Sequence, residues 1–165
     1  MGLDMYLYTN SRSLTKAIHK DSPCSDYITD FYLRRGVAMY WCKTNAIHKW
    51  FVDNVQGGND DCGYYYVDME QLHELRDTCQ KVLDDHSLAE VLLPTQAGFF
   101  FGSTEFDEWY WIDLARTVEE IDRIDGLLDK EPCNVKGQDG QPLWYNRVMP
   151  DERDWYVTFT YHSSW

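Results

Sequence analysis

Long apolar runs are what this sequence most plainly lacks. No stretch of the 165 residues approaches the roughly 20 apolar residues that a membrane-spanning helix requires, so no membrane association is expected. The opening MGLDMYLYTN has neither the basic region nor the apolar run of a secretory signal, and a myristoylation pattern would want Ser or Thr where Tyr6 stands. Cysteine is present but unpatterned. Cys24, Cys42, Cys62, Cys79 and Cys133 are odd in number and widely spread, with no Cys-x-x-Cys pair of the usual zinc spacing. A cytoplasmic protein with reduced thiols and no metal is the resulting expectation.

Positive charge is also scarce. Fifteen basic residues stand against 28 acidic ones, giving a formal net charge of −13. Direct binding to DNA, RNA or anionic lipid would meet long-range repulsion. Such a charge suits a solvated surface, attraction to basic proteins, or mimicry of nucleic acid. Catalytic signatures are missing as well: there is no GxSxG, no HExxH, and no GK[ST] after the glycine pair at Gly98 and Gly102. Cys62, directly after Asp60-Asp61, is a poor candidate nucleophile because nearby negative charge disfavours a thiolate. No cofactor is expected.

What the chain does have is apolar and aromatic content, at 44% hydrophobic residues and 16% aromatics, with seven Trp and twelve Tyr. That suffices for one core, and no linker, repeat or low-complexity run divides it, so residues 1–165 read as a single domain. In GLDMYLY, Leu3, Met5 and Leu7 alternate with Asp4, Tyr6 and Tyr8, as in a strand with one buried side. Residues 10–25 read as loop with a short helical turn. Asp26 to Arg35 reads as a helix with Tyr27, Phe31 and Tyr32 on one face, stopped by Gly36. Residues 37–41 fit either a strand or a helix approach. From Asn45 the period becomes helical through Ile47, Trp50, Phe51 and Val55, with Thr44 or Asn45 as N-cap and Gly57-Gly58 as stop. Tyr64 to Val67 reads as a strand, and Asp68 with Gln71 opens a helix bearing Leu72, Leu75, Cys79 and Val82.

A longer helix is expected from Glu105 or Asp107 to Leu128, capped by Ser103-Thr104. Its apolar stripe is Trp111, Leu114, Ala115, Val118, Ile121 and Leu128. Residues 131–142 read as loop. The end of the chain, WYVTFTYHSSW, alternates through Trp155, Val157, Phe159 and Tyr161. The expected class is therefore α+β: a small, mostly antiparallel sheet containing both terminal strands, packed on three to four helices.

Two stretches are candidates for a site. In MYWCKTNAIHKWFV, Lys43, Asn45 and His48 gather at the start of a helix, whose free amides suit an anion such as phosphate or carboxylate. Trp41, Trp50 and Phe51 read mainly as core, and a purely structural His48 is the weightier reading. The second stretch, LPTQAGFFFGSTEFDEWY, offers Thr95 and Gln96 before a phenylalanine run. If the two adjoin, Lys43, Asn45, His48, Thr95 and Gln96 would supply polar contacts, with Trp41, Trp50 and Phe100 as walls. The leading reading is a non-enzymatic binding protein for a host protein or a small anionic ligand, and a homo-oligomer is compatible with it. Its rivals are a hydrolase- or transferase-type enzyme with His48 as general base, and a nucleic-acid mimic presenting Glu119, Asp122 and Asp125 in a row.

The blocks MGLDMYLY, YWCKTNAIHKWF, DDCGYY, LLPTQAGFFFGSTEFDEWYW and YHSSW, in that order, resemble a widespread family of small acidic proteins from bacteriophages, prophages and bacteria. The resemblance covers about residues 1–8, 37–128 and the C-terminal strand. It carries no activity to transfer, and it implies a context: an accessory factor acting on a host protein or a small ligand. Family members commonly hold a basic residue where this chain has Cys42, a departure that weakens an anion site at that position.

Overall fold

Alternation dictates the first element. In strand β1 (Asp4–Thr9), Met5, Leu7 and Thr9 are buried while Asp4, Tyr6 and Tyr8 stay half-buried on the other face. The computed structural model describes residues 2–20, 26–129 and 157–165. Strands β1, β2 (Val37–Cys42), β3 (Tyr64–Val67) and β4 (Phe159–Ser164) form an antiparallel sheet in the order β2-β1-β4-β3. Both terminal strands thus pair centrally, in register from Asp4↔Ser164 to Thr9↔Phe159. A one-residue slip would send Met5, Leu7, Phe159 and Tyr161 to the open face, so burial fixes this register. The open face carries a cross-strand row of rings, Tyr40, Tyr6, His162 and Tyr64.

Local chemistry sets the helix ends. Ser11 accepts the Leu14 N–H at 3.1 Å and starts α1 (Arg12–Ile18), a fuller helix than the single turn expected, because Leu14 and Ile18 reach the core. In α2 (Asp26–Arg35) the expected apolar face is not buried: Tyr27 is 82% exposed, and Tyr32 alone of the three leans in, toward His19 and Tyr40. Residues 37–42 resolve as strand. Gly57 and Gly58, at φ +62° and +83°, end α3 (Asn45–Asn54) as the sequence indicates. Asp68 and Gln71 close a reciprocal capping box on α4 (Met69–Asp84), with bonds of 2.8 and 3.1 Å. A 3-10 turn (His86–Leu88) and the short α5 (Ala89–Leu92) follow.

The last described helix, α6 (Glu108–Asp129), starts later than expected. Its first turn is capped by Asp107, which accepts the Tyr110 N–H at 3.1 Å, while Ser103 instead accepts the Glu105 N–H in the preceding turn. Leu114, Ile121 and Ile124 are wholly buried, and Trp111 stacks on His86 at 3.8 Å. The acids of its outer face are not a free row. Arg76 of α4 donates to both oxygens of Asp122 at 2.8 and 3.1 Å, and His73 lies 3.3 Å from Asp125. Inside, Phe51 stacks on Tyr161 at 3.9 Å. Val157 precedes β4, and the expected Trp155 and the 131–142 loop lie outside the described residues. Among the described residues no helix is long and apolar enough to cross a membrane.

Candidate functional site

The turn from β2 into α3 runs through Lys43, a non-glycine residue at φ +59° whose N–H donates to the Leu3 carbonyl at 2.7 Å. Its stem lies over Gly102, itself at φ +86°; a Cβ there would come within 3.1 Å of the Lys43 Cβ. The next two residues are spent on tertiary ties. Thr44 donates to Asp113 Oδ2 at 2.7 Å and so does not cap its own helix. Asn45 Nδ2 donates to the carbonyls of Phe101 and Ser103 at 3.0 and 2.8 Å, and its Oδ1 accepts the Gln96 N–H at 2.9 Å. One buried amide thereby stitches the helix start to the 94–104 loop, using both its donor hydrogens and its acceptor oxygen.

These ties bound a cleft of about 440 Å3 between the β2–α3 turn, the loop and the first two turns of α6. Lys43, Asn45 and Thr95 line it together with Ser103, Trp109, Asp113 and Arg116. Burial pushes the Asp113 carboxyl above the usual range, against the opposing pull of the Thr44 hydroxyl and the Arg116 guanidinium. Asp107, also on the wall, is engaged as the α6 cap. The side chains of Lys43 and Arg116 form no hydrogen bond or ion pair with any described residue. Elsewhere Arg34, Lys49, Arg76 and Arg123 all hold acids within 3.3 Å.

The remaining expected residues fall elsewhere. His48 is fully buried, with Nδ1 2.8 Å from the Tyr161 hydroxyl, Nε2 3.1 Å from Asp60 Oδ1, and Phe101 edge-on against its ring. No substrate atom reaches either nitrogen without opening the core, and a general base needs that reach. Trp50 packs edge-on against Phe51 in the core, and Trp41 is buried with its indole N–H donating to Thr117 at 2.9 Å. Phe100 holds the N-terminus through its carbonyl, which accepts the Leu3 N–H at 3.1 Å. Gln96 contributes its backbone to Asn45, while its side-chain oxygen is buried with no partner among the described residues.

Sequence reasoning missed Trp109, Asp113 and Arg116. Their spacing does carry a signal: at helical period they form a stripe beside, not within, the apolar face of α6. Among the described residues no group of three or more His, Cys, Asp or Glu side chains is placed to hold a metal ion. No family model, curated protein or solved structure matches this chain.

Proposed function

We propose that this chain is a non-catalytic binding protein that takes a small anionic ligand in the cleft between Lys43 and Arg116. The observation that carries the reading is that these two cations line one cleft with no hydrogen bond or ion pair from their side chains, in a chain of net charge −13 where Arg34, Arg76 and Arg123 hold acids and Arg35 lies over the Phe31 ring. Acids are available nearby, since Glu105, Asp107 and Asp113 share the wall. Asp107 and Asp113 already accept hydrogen bonds, from the Tyr110 amide and the Thr44 hydroxyl, whereas the Lys43 and Arg116 side chains donate none to a described residue. The first turn of α3, left without a side-chain cap, adds partial positive charge at Ala46 on the same wall.

Overall repulsion does not decide the matter. Exposed charges are largely screened beyond about 8 Å at physiological ionic strength, so the near pair outweighs the distant acids. The resemblance to small acidic phage proteins suits an accessory factor acting through such a ligand. Inorganic phosphate tests the reading by thermal unfolding: a ligand that binds only the folded state raises Tm with concentration. Wild-type protein is expected to gain Tm, and Lys43→Gln/Arg116→Gln to gain little. An equal response in both proteins, or none in either, contradicts the reading.

A further inference from the structure

A second cavity, of about 890 Å3, lies along β2 between the end of α1, Tyr32 of α2 and the side of α6 that carries Arg116, Glu120 and Arg123, and it shares Tyr40, Asp113 and Arg116 with the first. Arg116 therefore lines both cavities, where they adjoin. In the larger cavity Arg123 is occupied by Glu120 at 3.3 Å, whereas Lys20 has no partner among the described residues. Its accessible apolar surface comes from half-buried Ala17, Tyr32, Tyr40 and Leu127. The Tyr32 and Tyr40 rings lie 6.2 Å apart, with His19 5.2 Å from Tyr32, so this wall is mainly aromatic.

Resting on the cleft reading, we infer that the two cavities form one site for an elongated ring-bearing acid, an aryl or heteroaryl phosphate or carboxylate. Its anionic head lies between Lys43 and Arg116, and its flat ring body crosses the junction onto Tyr40 and Tyr32. The head alone would occupy the smaller cavity and leave the aromatic wall bare. A ring placed there gains apolar burial and edge or offset stacking, which aromatic pairs favour beyond their area. Size agrees as well, since sites for small organic ligands run to about 300–1,000 Å3.

Gly126 provides a way to separate the two parts of this proposal. It lines the larger cavity alone, and a Cβ there meets nothing within 4 Å, so a large side chain enters the cavity without a backbone clash. The experiment is calorimetric titration of the full chain with 1-naphthyl phosphate, inorganic phosphate and 1-naphthol. Wild-type protein is expected to bind naphthyl phosphate at least about tenfold more tightly than phosphate or naphthol, equivalent to ~1.4 kcal/mol. Gly126→Trp should abolish that advantage while leaving phosphate binding intact, and Gly126→Ala should retain it. Ala17→Trp repeats the block from α1 should Gly126→Trp unfold, as circular dichroism would show. Naphthyl phosphate binding no tighter than phosphate, or an advantage that survives both blocked variants, overturns the ring-body inference and leaves the cleft reading standing. Phosphate binding indifferent to Lys43→Gln/Arg116→Gln overturns the cleft reading itself.

Discussion

Asp113 sits half-buried between Thr44, which donates to it at 2.7 Å, and Arg116, and burial raises its carboxyl pKa above the ordinary carboxylate value. A raised folded pKa means that the folded chain holds this proton more tightly than the unfolded chain. Stability from this group is therefore greatest in acid and is lost as pH rises from the unfolded through the folded pKa. Asp113→Asn keeps an oxygen for the Thr44 hydroxyl and removes the ionisation. Its stability relative to wild type, from urea unfolding at several pH values, should improve between pH 3 and pH 7; a constant difference would refute the assignment. The same variant removes a negative charge from the cleft wall and should tighten phosphate binding. Asn45→Ala should act oppositely, on the scaffold. It strands two carbonyls and an amide, and at about 1–3 kcal/mol for each polar group left buried, a loss of ~3 kcal/mol in urea unfolding is expected after partial rehydration. Lys43 and Asn45 are legible in the sequence, with His48, because charged and amide residues at a helix start have a known use, and Thr95 is legible as a hydroxyl on the loop before the phenylalanine run. Arg116 and Asp113 are not, because the Thr44–Asp113 bond spans 69 residues and sequence period alone cannot say what faces a helix's side.

Elements whose ends are set by local chemistry were readable in advance. The Asp68–Gln71 capping box and the Gly57-Gly58 stop each use residues within three positions, so no tertiary knowledge was needed. The start of α6 falls next to the later of the two expected positions, and the Ser103-Thr104 cap is not used, because Ser103, Thr104 and Asp107 are all competent caps and only the path of the 94–104 loop selects Asp107. For α2 the aromatic spacing suggested a buried face, yet exposure follows what packs against a helix, and Tyr27 meets solvent. Gly102 links element to site. Its φ of +86° and its contact with Lys43 leave no room for a side chain, so Gly102→Ala should cost ~1–3 kcal/mol in strain and move Lys43 as well. Gly57→Ala, at φ +62° with open space around its Cβ, carries the backbone strain alone. Equilibrium unfolding should show both variants destabilised, but phosphate binding should weaken only in Gly102→Ala; equal weakening in both would place Lys43 outside the site.

Across the whole molecule, charge and topology divide the work. Pairing of β1 with β4 at the centre of the sheet joins the chain's two ends, as alternation at both ends indicated. Arg76 of α4 partly neutralises Asp77 of its own helix and Asp122 of α6, which leaves the excess negative charge a property of the surface at large. Lys43 and Arg116 line one cleft inside that field with their side chains unpaired among the described residues. Binding there should depend on salt only modestly, because the interaction acts over a few ångströms, whereas generic attraction to a charged surface would vanish as salt rises. Titration of 15N-labelled protein with inorganic phosphate at 0.15 M salt tests this centre most directly. The account predicts saturable shifts confined to the amides of Lys43 and Ala46, the Ser103 loop and the Arg116 turn of α6, and lost in Lys43→Gln/Arg116→Gln. Shifts that miss these residues, or that persist unchanged in the double variant, would contradict it.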